Sequence, residues 1–223
     1  FIPMPYEIFS LTYIVPDKKI YYIHIPKSGG TSEYDNLAKD YHVQTVPTGK
    51  HSPYSEEYED YECIYTHVRN PHTRMLSQYL FQYEMRFMYE KFITKERQAF
   101  NAKEHIIPFA KWSTKIPPSP IDKRIMEKQT PLVQSPSPEN YCRWLYTIRL
   151  ILKELTTDNF KYRPYSLQSE WLSDKVFVKK IEDEKTFSNI TSRMPNHEAQ
   201  PYLDAAKNLI EEYYYEDFND FGY

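Results

Sequence analysis

With 223 residues the chain is long enough for one domain with a substantial core, and its formal net charge at pH 7 is −3. The isoelectric point of about 6.2 excludes the general basic field that nucleic-acid-binding proteins use, so an anionic ligand has to be bound by local charge. Two cysteines, Cys63 and Cys142, provide neither a disulfide framework nor a zinc site, and we interpret both as small core residues.

No apolar run approaches the length of a membrane span, and no signal peptide is visible. These features favour a soluble, cytoplasmic protein, unless a targeting or anchor segment upstream of Phe1 has been removed. The compartment and the oligomeric state stay open.

The first predicted elements are two short apolar runs separated by the turn residues Pro16-Asp17, which predicts a small hairpin. The second run, Ile20 to Ile25, predicts a buried strand. Two adjacent glycines, Gly29 and Gly30, then lead into a helical pattern. The sequence therefore predicts strand, tight loop and helix, with backbone N–H groups at the start of the helix, where the partial positive charge favours an anion.

Several groups in this loop suit a phosphate. Gly29 and Gly30 permit positive φ angles and a close approach of backbone to ligand, and they are two of only four glycines in the chain. Lys27 adds a full positive charge. Hydroxyl donors come from Ser28, Thr31 and Ser32. An ordinary strand-to-helix turn with a surface lysine is the alternative interpretation.

The residue order differs from the Walker A pattern, in which lysine follows the last glycine. Here Lys27 precedes the glycine pair. The segment Pro-Lys-Ser-Gly-Gly-Thr-Ser at 26–32 resembles instead the 5′-phosphosulfate loop of sulfotransferases that use PAPS (3′-phosphoadenosine 5′-phosphosulfate). The resemblance implies that residues 27–32 bind this end of the donor.

A second junction of the same kind is predicted further along the chain. The apolar run Cys63 to Val68 predicts a core strand, and Arg69 stands at its carboxyl end. Asn70 suits the N-cap of a helix and Pro71 its first position. We therefore expect a second anion site, built in the same way as the first.

The residues of this junction, Arg-Asn-Pro-x-x-Arg-x-x-Ser-x-Tyr at 69–79, resemble the 3′-phosphate motif of the same enzymes. The resemblance implies that Arg69 and Ser77 hold the 3′-phosphate of PAPS. Taken singly, Arg69 also suits a salt-bridged strand end, and Ser77 a neutral position on a helix surface. Because both motifs occur in order, each at a strand-to-helix junction, coincidence is a poor explanation.

The segment between the two motifs contains a predicted short strand, His42 to Val46, and a loop with His51. A neutral imidazole accepts a proton near pH 7, so His51 is the candidate general base. Gly-Lys-His-Ser-x-Tyr at 49–54 resembles the segment that supplies the catalytic histidine in uronyl 2-O-sulfotransferases. The alternative bases are Glu56 and Glu57, and a loop histidine without a function is the alternative interpretation.

The remaining histidines and acidic residues of this half have simpler interpretations. His24 and His67 lie within predicted strands and are interpreted as structural, whereas His72 lies close to the 3′-phosphate motif. The acidic run at 56–62 is most simply the solvated face of a helix.

Residues 88–135 are the least family-like part, and we treat them as an atypical insertion in a single domain spanning 1–223. A charged helix is predicted from Tyr89 to about Lys103, before a proline-rich stretch. Acceptor binding and a mobile excursion are equally good interpretations of this insertion.

Three further elements are predicted beyond the insertion: a helix that opens at Pro138, a strand from Lys175 to Ile181 and a last helix over about 200–215. Gln168 belongs to a Gln-x-x-x-Leu segment that resembles carbohydrate sulfotransferases, and a function for it is only weakly implied.

Outside 88–135, nearly the whole chain is similar to membrane-type carbohydrate sulfotransferases, including uronyl and heparan sulfate 2-O-sulfotransferases. The resemblance implies an α/β fold of the P-loop nucleotide-kinase type, with a central parallel sheet flanked by helices. It implies transfer of a sulfuryl group from PAPS to a hydroxyl acceptor, a saccharide, with PAP (adenosine 3′,5′-bisphosphate) as product and without metal. Lys27 would stabilise or protonate the leaving phosphate oxygen.

Two other function classes stay open. A kinase-like phosphotransferase is disfavoured, because the Walker lysine and an obvious Mg²⁺-binding aspartate are missing. A non-catalytic nucleotide-binding relative is opposed only weakly, by the presence of Lys27 and His51. Sulfate transfer from labelled PAPS without Mg²⁺ distinguishes the three classes.

Overall fold

The computed structural model describes residues 11–50, 52–81, 132–133, 135–149, 163–184 and 196–223. These residues form a five-stranded sheet flanked by helices, which is an α/β architecture. In chain order the strands are β1 (Leu11–Val15), β2 (Ile20–Ile23), β3 (Gln44–Lys50), β4 (Cys63–Val68) and β5 (Phe177–Lys180). Across the sheet the order is β3-β1-β2-β4-β5.

The sheet is mixed, so the prediction of a parallel sheet is wrong for one side of it. β2 pairs with β4, and β4 with β5, in parallel, whereas β1 runs antiparallel to both β2 and β3. The short turn Pro16–Lys18 joins β1 to β2 as the predicted hairpin, since a parallel connection needs about a dozen residues or more. Because β1 is antiparallel to both β2 and β3, β3 runs in the same direction as β2, β4 and β5. The carboxyl ends of these four strands therefore lie at one edge of the sheet.

The principal helices are α1 (Gly30–Asp40), α2 (71–81), α3 (Pro138–Arg149), α4 (Asn196–Tyr213) and α5 (Tyr215–Phe221). Helix α1 follows β2 and packs Leu37 against the sheet face that carries Tyr22. Side chains alternate along a strand, so Tyr21 faces the other side, where it packs with Trp171. Residues of α2, α3 and α4 form a second core around Trp144.

Local sequence signals gave the correct limits for several elements. β4 has its predicted bounds, α2 begins at Pro71 and α3 at Pro138, as predicted. β3 continues to Lys50 instead of ending at Val46, because Lys50 pairs with a residue of β1.

Other predictions are wrong. The acidic run is solvated as predicted, but it forms only the 3-10 turn Glu56–Tyr58 and not a longer helix. Cys63 is exposed and Cys142 is half-buried, so neither is a core residue. His51, the helix predicted from 89 to 103 and all of the insertion except 132–133 and 135 lie outside the described residues. Among the described residues, none of the helices combines the length and apolar character that crossing a membrane requires.

Candidate functional site

The two predicted phosphate loops lie next to each other. β2 and β4 are parallel neighbours, with Ile23 beside Thr66, so the segments that follow them leave the sheet side by side. Arg69 Nη1 donates a hydrogen bond to the carbonyl oxygen of Lys27 at 3.2 Å. Arg74 Nε donates to the carbonyl oxygen of Pro26, also at 3.2 Å. Motifs separated by about forty residues in the chain therefore share direct contacts.

The first loop turns through two left-handed residues into the start of α1. Lys27 has a φ of 66° and Gly29 a φ of 87°, both in the left-handed region. A left-handed backbone is uncommon for lysine, and such residues cluster at functional sites. Gly29 is the N-cap of α1 and has no side chain to accept from the first N–H groups of the helix. The half-buried Thr31 and Ser32 lie in that first turn, where the helix dipole favours negative charge.

The two glycines serve different purposes. Gly29 provides the positive φ angle, whereas Gly30 is already the first residue of α1. A Cβ atom at Gly30 would lie 2.1 Å from Cδ2 of His24, so the buried ring requires a glycine there. Close approach of the backbone at Gly30 is therefore toward His24, which the sequence did not indicate.

The Ser28 side chain is fully buried and faces the protein interior. Its hydroxyl group donates to Oε1 of Gln168 at 3.0 Å. A hydroxyl has one proton to donate, so in this structure that proton is used within the protein.

Lys27 is half-buried and reaches from the first loop toward α2. Its ammonium group lies 4.3 Å from the centre of the Phe81 ring, close enough for a cation–π interaction. The Lys27 ammonium group is thus held beside the last described turn of α2.

Arg69 is only 3% exposed, although it belongs to the second motif. Besides the bond to the first loop, its Nε donates to Oγ1 of Thr73 at 3.0 Å. Burial lowers the pKa of Arg69 to about 10; nearby Arg74 lowers it further and Glu182 opposes the shift. The guanidinium therefore stays charged at neutral pH and forms a buried positive centre between the loops.

Ser77 lies on the same side of α2 as the Arg69 contact. It is buried and follows Thr73 by four residues, which places the two side chains on one helix face about 5–6 Å apart at Cβ. The structure therefore brings Arg69, Thr73 and Ser77 to one face of α2.

The second helix start differs from the first. Asn70 Oδ1 accepts from the N–H of His72 at 2.9 Å, which confirms Asn70 as the N-cap. Glu182 Oε1 accepts from the N–H of Asn70 at 2.8 Å. The N–H groups of Asn70 and His72 thus already have side-chain acceptors, whereas the start of α1 has no side-chain cap, so the two junctions are not built in the same way. His72 contacts Glu211 and Phe218, on the side toward α4 and α5.

The sequence only weakly implied a function for Gln168, which the structure places between the two loops. It did not indicate that Arg74 and Asp217 also connect this region. Gln168 Oε1 accepts from the Arg69 N–H at 2.9 Å, and Nε2 donates to the Arg69 carbonyl oxygen at 2.9 Å. The fully buried Arg74 also donates to the carbonyl oxygens of Ser166 and Pro164, at 3.0 and 3.1 Å. Arg74 was visible as the second arginine of the Arg-Asn-Pro motif, whereas no local signal marks Asp217.

The chain on either side of His51 contacts β1, which is bonded to His24 just before the first loop. Lys50 ends β3 opposite Leu11. The Thr12 hydroxyl donates to the Ser52 carbonyl oxygen at 2.8 Å and accepts from the N–H of His24 at 3.3 Å. The segment containing His51 therefore leaves and rejoins the described structure at the edge of the sheet that carries both loops.

His24 and His67 are both buried, as a structural interpretation of them requires; His67 lies in β4, and His24 directly follows β2. His67 Nδ1 lies 3.2 Å from the Tyr22 hydroxyl. Burial, with a smaller contribution from Lys179, lowers the pKa of His67 to about 4, although Glu184 lies 4.0 Å away. His67 is therefore neutral at physiological pH.

Comparison with known proteins leaves the family open. No family model matches the chain, and no curated protein and no solved structure is significantly similar to it. Within the ranges that the structure describes, no group of three His, Cys, Asp or Glu side chains is arranged to hold a metal ion. The sulfotransferase resemblance thus rests on the two sequence motifs alone.

Proposed function

We propose that this protein is a sulfotransferase of the P-loop type that binds PAPS across the two loops and transfers its sulfuryl group to a hydroxyl group of a saccharide. The observation that carries the proposal is the contact between the motifs, the bond from Arg69 Nη1 to the Lys27 carbonyl oxygen. It supports a single site, at the carboxyl ends of adjacent parallel strands, where open α/β sheets bind ligands.

The 5′-phosphosulfate and the 3′-phosphate of the donor are each assigned to one of the two loops. The 5′-phosphosulfate would bind at the uncapped start of α1, where N–H groups and the helix dipole favour an anion. The 3′-phosphate would bind beside the charged Arg69 and the hydroxyl face of α2, which includes Ser77.

Lys27 is assigned to the leaving group. The sulfur–oxygen bond to the phosphate breaks as a new bond to the acceptor oxygen forms, and negative charge grows on the bridging oxygen. A cation–π contact such as that with Phe81 contributes about 0.5–2 kcal/mol, whereas a hydrogen bond to a charged group contributes about 1.5–3 kcal/mol. The donor phosphate would therefore draw the Lys27 ammonium from the ring and be stabilised or protonated by it.

His51 is the proposed base that takes the proton of the acceptor hydroxyl. Support comes from its neighbours: Lys50 ends a strand whose carboxyl end lies at the same sheet edge as both loops, and Ser52 is tied through Thr12 to His24. Glu56 and Glu57 are the fallback bases, since both lie a few residues further on and are exposed.

A non-catalytic nucleotide-binding protein is the second candidate. The contacts between the two loops concern the binding of the donor and not the acceptor or the proton transfer, so they agree with this candidate as well. In that case PAP binds without turnover.

Calorimetry with PAP and AMP, together with transfer of labelled sulfate from PAPS to a saccharide panel without Mg²⁺, tests the proposal. We expect PAP to bind at least tenfold more tightly than AMP, because the 3′-phosphate adds a charge-assisted contact. Equal affinity for the two nucleotides contradicts the proposed site. PAP preference without transfer to any acceptor favours the second candidate, and phosphate transfer from ATP favours a kinase.

A further inference from the structure

The buried side chain of Gln168 joins both phosphate loops. Its Oε1 accepts from the Ser28 hydroxyl at 3.0 Å and from the Arg69 N–H at 2.9 Å. Its Nε2 donates to the Arg69 carbonyl oxygen at 2.9 Å. A backbone N–H only donates and a carbonyl only accepts, so the backbone of Arg69 allows one orientation of the carboxamide. The carboxamide of Gln168 therefore pairs with the backbone N–H and carbonyl of Arg69, as the backbone of a neighbouring β-strand would.

Asp217 holds Gln168 in that orientation from the other side. Its fully buried carboxylate accepts from the backbone N–H of Gln168 at 2.9 Å and of Ser169 at 3.1 Å. It also lies 3.3 Å from Nε2 of Gln168. Burial raises the pKa of Asp217, while Arg74 and these N–H donors oppose the rise. The last helix, α5, is thereby connected to both loops through one carboxamide.

We infer that Gln168, held by Asp217, is the positioning residue that sets the distance and orientation between the two loops. The inference rests on the proposed function, because its consequence is for a ligand with a phosphate at each loop. Without the carboxamide, the Ser28 hydroxyl and the Arg69 N–H and carbonyl lose buried partners, which proteins rarely tolerate without rearrangement. PAP spans both loops, whereas AMP has only the 5′-phosphate. A change in the distance or orientation between the loops therefore weakens the binding of PAP more than the binding of AMP.

Gln168→Met tests this, because methionine keeps the length of the side chain and removes its hydrogen bonds. Gln78→Met is the matched control: Gln78 is also a fully buried glutamine, it lies on α2, and within the described ranges it has no hydrogen bond to either loop. Amide hydrogen exchange of peptides containing Ser28 and Arg69 measures loop order without ligand. Calorimetry with PAP and AMP measures the effect on binding.

In Gln168→Met we expect exchange at the Arg69 amide to accelerate at least tenfold. We also expect the ratio of PAP to AMP affinity to fall about tenfold, which corresponds to about 1.4 kcal/mol. Gln78→Met should leave both readouts at wild-type values. An unchanged affinity ratio in Gln168→Met, or the same loss in Gln78→Met, overturns the inference.

The result also separates this inference from the proposed function. If the wild-type protein shows no preference for PAP, the proposed function fails, and the exchange of the Arg69 amide alone then decides whether Gln168 orders the loops. If Gln168→Met does not fold, Asp217→Asn is the second variant, because it keeps the size of the side chain while placing an amide against the N–H groups of Gln168 and Ser169. It should lower the affinity ratio in the same direction, and a wild-type ratio overturns the inference.

Discussion

Replacement of Gly30 by alanine tests the packing at the start of α1. The added methyl would lie 2.1 Å from Cδ2 and 2.2 Å from Nε2 of the buried His24, far inside contact distance. Overpacking of this kind costs about 1–3 kcal/mol, whereas alanine gains at most about 1 kcal/mol over glycine in a helix. A separation of 2.1 Å puts the steric cost at the upper end of that range, about 2–3 kcal/mol, so the clash decides the sign and we expect a net loss of about 1–2 kcal/mol in the free energy of unfolding.

Thermal and urea unfolding measure this loss. For a chain of this size each kcal/mol lowers Tm by about 2–4 °C, so we expect a decrease of about 2–8 °C. His24→Ala completes a double-mutant cycle. Without the His24 ring, Gly30→Ala should not lower the free energy of unfolding any further, so the coupling energy between the two positions should be about 1 kcal/mol or more. A Gly30→Ala variant as stable as wild type, or an equal loss in both backgrounds, would refute the reasoning.

Three further predictions concern the site and the sheet. Lys27→Ala should lower kcat for sulfate transfer far more than it weakens PAP binding, because its contact strengthens in the transition state; steady-state kinetics and calorimetry compare the two, and near-normal turnover would leave Lys27 a binding residue only. His51→Ala should lower the rate of sulfate transfer by about 10²–10⁴-fold and remove the fall of kcat/KM at acid pH, while PAP affinity stays unchanged. Normal turnover in this variant would exclude His51 as the base, and Glu56 and Glu57 would then be tested. The pKa of His67 is about 4 when folded and 6.5 in a solvated chain, so its contribution to stability is present above pH 6.5 and lost as the pH falls toward 4. Urea unfolding should show this loss, up to about 3 kcal/mol, as the difference between wild type and His67→Gln, and parallel pH profiles would contradict it.

Features that depend on neighbouring residues were predictable from the sequence. The apolar run of β4 has the predicted bounds, and the cap at Asn70 forms with the N–H two residues later. The turn at Pro16 produces a hairpin because so short a connection allows only antiparallel strands. In each case the decisive interaction lies within a few residues, so local backbone preferences are sufficient.

Features that depend on distant residues were decided by the tertiary structure. Gly30 is required by the ring of His24, and the exposure of Cys63 depends on what covers its end of the sheet. The bonds of Gln168 to Ser28 and Arg69 span 140 and 99 residues of sequence. No residue pattern near Gln168 specifies such partners, because they meet only when separate elements pack and buried polar groups must find a donor or an acceptor. The sequence thus determined the two motifs and the elements that present them, and the packed fold determined how one carboxamide joins them.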